Sequence, residues 1–175
     1  MLNISSKVLA EKIVDRVVQD LHDVNFEQSQ KLFKRWRIDI QKIISHASSG
    51  VTYKAFFDGS ATPNPGEMVI GGYIEQPNQK RIYEYSYEIG YGTNNQSEYS
   101  SLLHLCHSIV AHQILKVRIH GDSNLVINQV NGASRAKHPN MIFFRNEVRE
   151  VLKKISDWNL VHIPRKQNKK ADYLT

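Results

Sequence analysis

The chain has 175 residues, of which 41% are hydrophobic and 23% are charged, and its net charge is +6. This composition is that of an ordinary globular protein with a sizeable core, and it excludes intrinsic disorder and fibrous classes. The basic balance suits a polyanionic partner but does not require one.

Cysteine content and hydropathy indicate the compartment. The single cysteine, Cys106, cannot form an internal disulfide, which fits a reducing environment. Its apolar helical neighbours favour a small core residue over a catalytic thiol. The sequence contains neither a signal-peptide pattern at its start nor an apolar run of membrane-spanning length, so we expect a cytoplasmic protein without membrane contact.

Residues 1–46 are predicted to form a helical hairpin. Apolar side chains recur there at helical spacing in two runs, separated by a break near Asn25. The small polar residues 47–50 are predicted to be a linker. Because so short a segment builds only a small core, its apolar stripe is expected to pack on the rest of the chain, on a second copy of it or on another protein.

Residues 51–175 are predicted to form an α/β domain. Three strands joined by short, turn-rich links predict an antiparallel meander over 51–57, 68–75 and 81–89. Helices are then predicted over 94–114, 123–130 and 141–157, strands over 116–120 and 160–163, and a last helix from near Lys169. Right-handed crossovers give a mixed five-stranded sheet, three antiparallel strands followed by parallel ones, with helices on its faces.

Two acids occupy informative positions in the first half of this domain. Asp58 follows the apolar run AFF at the predicted end of the first strand, although an Asp-Gly pair taken alone is more often a turn. Glu98 lies on the predicted long helix in line with Leu102 and Leu105, which places its carboxylate on the buried face. An unpaired carboxylate is costly there.

Two further acids complete a possible cluster. Asp122 follows the strand KVRIH and a glycine and precedes a helix, where an N-cap role would suffice. Asp172 lies in KKAD at the start of the last helix, where the helix dipole favours an acid. In a sheet of the predicted order the four acids can converge at the carboxyl ends of strands. Converging carboxylates repel one another unless cations neutralise them, and such hard oxygen ligands suit Mg²⁺ or Mn²⁺.

Four segments carry these acids in chain order: DGSATPNPG with GGYIE, TNNQSE with its long helix, GDSNLVINQVNG, and VHIPRKQNKKADYL. In their residues, order and spacing they resemble the ribonuclease HI family. The resemblance covers residues 51–175. It implies a ribonuclease H-like fold and an enzyme that hydrolyses the RNA strand of RNA/DNA hybrids. It also implies that the site holds two Mg²⁺ ions, with Mn²⁺ expected to substitute. The implied ligands are Asp58, which would bridge both ions, with Glu98, Asp122 and Asp172.

The resemblance implies a binding face for the hybrid as well. Asn64, Asn94 and Asn95 are expected to line the minor groove, where the 2'-hydroxyl distinguishes RNA from DNA. Turn and cap chemistry is the alternative explanation for these three residues. Gly59 and Ser60 are expected to lie close to the RNA backbone, because a larger side chain would obstruct it.

Contacts to phosphates are implied at three positions. Thr93 is expected to hold a phosphate of the DNA strand, and Asn140 to contribute to the same pocket, although a plain N-cap explains Asn140 equally well. Arg165 lies with three lysines beside Asp172, where it is expected to grip a phosphate. A solvated helix start is the alternative for this basic cluster.

The sequence departs from the family pattern in the segments that follow the third acid. The loop IPRKQNKKAD has no histidine where many bacterial members carry one, and Arg165 is the expected replacement, as in a subgroup of the family. His162 is assigned to the preceding strand as a packing residue. The basic protrusion of some members is missing, which predicts weaker hybrid affinity. The short last helix is expected to fray and to loosen Asp172.

Three functions remain open on the sequence alone. The leading hypothesis is an endoribonuclease acting on hybrids. The second is a hybrid-binding protein without useful catalysis, which the missing loop histidine motivates. The third is another nuclease of the same fold, such as an integrase or exonuclease, and the TNN and NPG residues argue against it.

Overall fold

A computed structural model of the chain describes residues 51–175, so the predicted hairpin and linker lie outside the described residues. The strands are β1 (Tyr53–Thr62), β2 (Gly66–Glu75), β3 (Arg81–Gly92), β4 (Lys116–Gly121) and β5 (Asp157–His162). The helices are α1 (Asn94–Ala111), α2 (Asn124–Asn131), α3 (Pro139–Leu152) and α4 (Lys169–Asp172). A 3-10 turn at Arg165–Gln167 precedes α4.

The five strands form one sheet in the order β3-β2-β1-β4-β5. β2 is antiparallel to both β1 and β3, whereas β4 is parallel to both β1 and β5. The predicted α/β class with a mixed five-stranded sheet is confirmed. The first strand lies at the centre of the sheet, between one antiparallel and one parallel neighbour, so its residues reach a site at the carboxyl end of the parallel pair.

The first strand is longer than predicted, and Asp58 lies within it. The antiparallel ladder to β2 continues through the pair Asp58 and Gly71 and reaches Thr62. The parallel ladder to β4 stops earlier, at the pair Phe56 and His120. The predicted strand end at Asp58 and its alternative as a turn are both wrong, because ladder hydrogen bonds to β2 keep the chain extended. Asp58 nonetheless lies just beyond the parallel-paired part of β1.

The third helix begins and ends earlier than predicted. Pro139 occupies its first turn, and the His138 ring accepts a hydrogen bond from the Asn140 amide (3.3 Å), so the N-cap is His138 and not Asn140. Asp157, predicted to be helical, instead begins β5, and its amide donates to the Leu115 carbonyl (2.8 Å). Pairing with the neighbouring strand therefore overrides the local helical pattern.

The core is formed by residues of the sheet together with residues of α1, α2 and α3. Its fully buried members include Phe57, Leu102, Leu105, Ile119 and Val148. Leu102 and Leu105 lie on the apolar face of α1 from which the burial of Glu98 was predicted. Burial of apolar area of this kind is the main stabilising contribution to the fold.

The cysteine is a core residue, as the sequence predicted. Cys106 is fully buried in α1, and this burial raises the pKa of its thiol to about 12. A thiol with so high a pKa is not a nucleophile at neutral pH. In the part of the chain that the structure describes, no helix has both the length and the apolar character needed to cross a membrane.

Candidate active site

Three of the four predicted acids converge beside the central strands. Asp58 lies on β1, Glu98 near the start of α1 and Asp122 directly after β4, and an oxygen from each carboxylate lies within 4.8 Å of the other two. Asp58 and Glu98 are only 6% and 7% exposed. The N-cap of α2 is Ser123, so capping does not account for Asp122. The sheet order therefore brings these three side chains together as the sequence led us to expect.

Close contact between α1 and β1 sets the positions of two of these acids. A Cβ at Gly59 would overlap main-chain atoms of Ser97 and Glu98, so only glycine allows the helix to approach the strand this closely. The Ser97 hydroxyl donates to the Val69 carbonyl (2.7 Å) and ties the same turn to β2. The structure thus gives Gly59 a packing role beside the carboxylates, in addition to the expected approach to RNA.

Gly59→Ala is expected to destabilise the protein by roughly 2–4 kcal/mol, because the added methyl group overpacks the contact between α1 and β1. Activity should fall as well, since the same displacement moves Asp58 and Glu98 apart. Urea unfolding of metal-free protein measures the stability.

The matched control is Gly90→Ala. Gly90 has a φ of +86°, and a Cβ there would have no neighbour within 4 Å. That substitution is expected to cost about 1 kcal/mol of backbone strain without loss of activity. Equal losses of stability in the two variants would contradict the packing role of Gly59.

Burial and mutual repulsion raise the pKa values of two of the three carboxyl groups. Burial is the largest cause that raises the pKa of Asp58 to about 6, and repulsion from Asp122 and Asp172 adds to it. Burial, followed by the charges of Asp58 and Asp122, raises the pKa of Glu98 to about 9. Two neighbouring carboxyls that resist ionisation indicate a site designed for a counter-charge.

The donor set fits a divalent cation. Glu98 Oε2 is buried and has no hydrogen-bond partner within residues 51–175. An orphaned buried oxygen of this kind is costly, and a bound cation would satisfy it. Carboxylate oxygens from three side chains within 4.8 Å of one another are the hard ligands that Mg²⁺ and Mn²⁺ prefer.

The fourth predicted acid lies outside this three-acid cluster. Asp172 Oδ1 accepts hydrogen bonds from Arg165 Nε (3.0 Å) and Nη2 (2.6 Å). The Arg165 side chain is 79% exposed, so the ion pair is open to solvent. Arg165, the expected replacement for the loop histidine, thus pairs with Asp172, the expected fourth ligand.

The last helix, which carries Asp172, is anchored to the sheet and not frayed as the sequence led us to expect. Asn168, which precedes α4, is 1% exposed, and its Nδ2 donates to the Phe57 carbonyl (2.9 Å) on β1. The Asn168 carbonyl in turn accepts from the Asp172 amide (3.0 Å). A buried side chain therefore ties this short helix to the strand that carries Asp58.

The expected hybrid-binding residues form a hydrogen-bonded group at the start of α1. Asn64 Oδ1 accepts from the Asn94 amide (3.1 Å), and Asn94 Oδ1 accepts from the Ala61 amide (2.8 Å). Thr93 caps α1 and forms a capping box with Gln96. Turn and cap chemistry is therefore present, and it pre-positions the exposed side chains of Asn64 and Asn94.

The other expected contact residues lie on three different elements. Asn95 is exposed at the start of α1, and Asn140 is exposed in the first turn of α3. The Ser60 hydroxyl donates to the main-chain oxygen of Thr175 (3.2 Å). His162, assigned from the sequence as a packing residue, is exposed, and its Nε2 lies 3.2 Å from the Asp122 carbonyl oxygen.

Two side chains at the site were not anticipated from the sequence. One is Asn168, and the other is Thr175, whose hydroxyl donates to Asp58 Oδ2 (2.6 Å). Their partners are 111 and 117 residues away along the chain. No spacing or periodicity signals contacts of this length, although an uncharged Asn168 within the basic segment RKQNKK is a weak hint.

The sheet order, together with three acids on β1, α1 and the β4 end, defines the ribonuclease H-like class of enzymes. A family model described as reverse transcriptase-like matches residues 56–175. Ribonuclease HI of Halobacterium salinarum is 32% identical over 136 residues, which are 78% of this chain and 68% of that protein. The chain belongs to the ribonuclease HI family.

Solved structures agree with this assignment. The crystal structure of RNase H1 from Halobacterium salinarum has a TM-score of 0.68 and 32% identity, covering 70% of this chain and 93% of that one. LC11-RNase H1 in complex with an RNA/DNA hybrid has a TM-score of 0.66 and 28% identity, covering 70% and 92%. At the level of sequence, a bifunctional protein of Mycobacterium tuberculosis is also similar. It is 27% identical over 118 residues, which are 67% of this chain and 32% of that longer protein.

Proposed function

We propose that the protein is an endoribonuclease that hydrolyses the RNA strand of RNA/DNA hybrids with two divalent cations, leaving 5'-phosphate and 3'-hydroxyl ends. The observation that carries the proposal is the convergence of Asp58, Glu98 and Asp122, where the buried Glu98 Oε2 has no hydrogen-bond partner among the described residues. The relative that was solved with an RNA/DNA hybrid supports the choice of substrate. Residues 51–175 would form the catalytic domain, and residues 1–46 a separate extension.

The four acids would hold the cations, with Asp58 shared between them. Two divalent cations held in this way would stabilise charge on an attacking water and on a leaving 3' oxygen. Asp58 and Glu98 must be ionised to act as ligands. At neutral pH Asp58, with a pKa of about 6, is already mostly ionised, whereas Glu98, with a pKa of about 9, would lose a proton when the site is filled. Asp172 would join the set from α4, where Arg165 now neutralises its charge.

The group at the start of α1 would select the substrate. Asn64, Asn94 and Asn95 carry amide groups that both donate and accept, as recognition of 2'-hydroxyls and base edges in a wide minor groove requires. Thr93 and Asn140 would contact phosphates of the DNA strand. Because Asn64 and Asn94 are already hydrogen-bonded to the main chain, little side-chain entropy is lost when a hybrid binds.

One observation favours a second candidate, a hybrid-binding protein with weak or no catalysis. Asp172 lies outside the three-acid cluster, and its Oδ1 is bound by Arg165. If this ion pair persisted on the hybrid, the fourth ligand would be withheld. The substrate phosphate competes for the exposed guanidinium of Arg165, however, so hybrid binding would release Asp172 and the enzyme remains the stronger proposal.

The test compares end-labelled RNA/DNA hybrid, RNA duplex and DNA duplex, each with Mg²⁺, with Mn²⁺ and with chelator. We expect cleavage of the RNA strand of the hybrid only, abolished by chelator. Treating the products with a 5'-phosphate-dependent exonuclease then identifies their ends. A hybrid that is bound but stays intact with both metals would establish the second candidate.

A further inference from the structure

The segment that follows α4 lies against the sheet beside Asp58. The Ser86 hydroxyl of β3 donates to the Leu174 carbonyl (2.6 Å), and the Ser60 hydroxyl of β1 donates to the main-chain oxygen of Thr175 (3.2 Å). A Cβ at Gly71 of β2 would lie 2.7 Å from Leu174 Cβ, so the glycine makes room for this segment. Residues of three adjacent strands therefore set the course of the chain as far as Thr175.

This anchoring presents one hydroxyl to one predicted ligand. Thr175 Oγ1 lies 2.6 Å from Asp58 Oδ2 and 3.0 Å from the Asp172 carbonyl oxygen. A hydroxyl has a single hydrogen to donate. The shorter distance and the charge of the carboxylate favour Asp58 as its acceptor, because a hydroxyl bound to an anionic oxygen is in the short, strong class of hydrogen bonds.

We propose that Thr175 is a positioning residue for Asp58, whose hydroxyl fixes the rotation of the carboxylate and so prepares it to bind divalent cations. An ionised carboxylate has about four acceptor positions, so a hydrogen bond to Oδ2 leaves the others for cations. Without this hydrogen bond, the carboxylate can rotate about its Cβ–Cγ axis. Cation binding would then have to restrict that rotation, which weakens the affinity. This inference rests on the proposed function, because it assigns Asp58 to the cation site.

The other groups around Asp58 do not perform this task among the described residues. Arg165 is bound to Asp172, and Asp122 and Asp172 repel the Asp58 carboxylate. Asn168 binds the carbonyl of the residue before Asp58 and so fixes the main chain without touching the carboxylate. Among the described residues, Thr175 is therefore the group that restricts rotation of the Asp58 carboxylate.

The test measures Mn²⁺ binding to the full chain, without nucleic acid, by titration calorimetry. Thr175→Val removes the hydroxyl and keeps the branched shape, and it is expected to weaken Mn²⁺ binding about three- to tenfold, the effect of one lost hydrogen bond. Thr175→Ser restores the hydroxyl and is expected to lie within about twofold of wild type. In the cleavage assay the half-saturating Mn²⁺ concentration should rise for Thr175→Val, while KM for hybrid stays unchanged.

A merely structural role is separated by a second variant. Ser86→Ala removes the hydrogen bond to Leu174 and leaves the Thr175 hydroxyl in place. If Ser86→Ala and Thr175→Val lower the melting temperature and the Mn²⁺ affinity equally, anchoring of the segment explains both and the inference fails. It also fails if Thr175→Val binds Mn²⁺ as wild type does.

The result is distinguishable from failure of the proposed function. Wild-type protein that binds Mn²⁺ but leaves hybrid intact would overturn the proposed enzyme, while the comparison of Thr175→Val with Thr175→Ser would still decide the role of Thr175. Wild-type protein that binds no Mn²⁺ would overturn both.

Discussion

Asp58→Asn is expected to reduce RNA cleavage at least about a thousandfold, because the amide keeps the shape of the side chain but loses the charge that holds cations. Several kcal/mol of transition-state stabilisation depend on bound cations in sites of this type, and each 1.36 kcal/mol corresponds to about a tenfold change in rate. Hybrid affinity in the presence of Ca²⁺ should stay within about threefold, since substrate binding relies on other residues.

Single-turnover cleavage with excess enzyme measures the chemical step, and filter binding measures the affinity for hybrid. Asp157→Asn is the matched control. Asp157 is bound by Lys116 (3.0 Å) and Arg118 (3.2 Å) at the start of β5, on the sheet edge away from the three acids. A partly exposed ion pair of this kind contributes little to stability, so near wild-type cleavage is expected. Substantial cleavage by Asp58→Asn would contradict the assignment of Asp58 to the cation site.

The second large effect concerns the pH dependence of stability in metal-free protein. The folded state raises the pKa of Glu98 from 4.5 to about 9, so between these values it holds a proton that the unfolded chain releases. Stability contributed by this group is therefore greatest below pH 4.5 and is lost as the pH rises towards 9. The pKa of Asp58 is also raised, from 3.8 to about 6, so the stability that this group contributes is likewise lost as the pH rises through that range.

Glu98→Gln is expected to remove most of this dependence, because the amide does not titrate. Metal-free variant protein should be more stable than wild type by several kcal/mol at pH 8, with no such gain at pH 4.5. The variant should also be inactive. Adding Mg²⁺ at pH 8 should stabilise wild type and have little effect on the variant, since a cation that binds only the folded state shifts the equilibrium towards it.

Urea unfolding at a series of pH values, with chelator and with Mg²⁺, measures both effects. Glu150→Gln is the control, since Glu150 is an exposed partner of Lys153 on α3. Stability curves for wild type and Glu98→Gln that run parallel from pH 4.5 to 9 would contradict the raised pKa of Glu98. A Mg²⁺ effect equal in the two proteins would contradict its role as a ligand.

These predictions depend on features of different origin. The order of strands and helices follows from alternating and helical apolar patterns in neighbouring residues, and these patterns are local. The placement of Glu98 on the buried face of α1 is local in the same sense, because Leu102 and Leu105 lie on the same stripe of one helix. The convergence of Asp58, Glu98 and Asp122 required one further step, the rule that relates strand order to the carboxyl ends of parallel strands.

Where the sequence prediction was wrong, contacts with a neighbouring element or a stronger local signal had overridden the signal that the prediction used. The Asp-Gly pair at Asp58 is turn-like by itself, but β2 extends the strand through it. Asn140 is a good N-cap by residue type, but Pro139 at the first position of α3 makes His138 the cap. Asp157 continues a helical pattern, but pairing with β4 draws it into a strand.

Periodicity and motif order are carried by residues close together in the chain, and they were enough to predict the sheet class, the convergence of Asp58, Glu98 and Asp122, and the family. Three contacts became evident only from the folded chain: Asp172 pairs with Arg165, Asn168 ties α4 to β1, and the Thr175 hydroxyl reaches Asp58. The last two contacts join residues more than 110 positions apart. They exist because the sheet and the last helix pack together, and packing has no signature in local spacing.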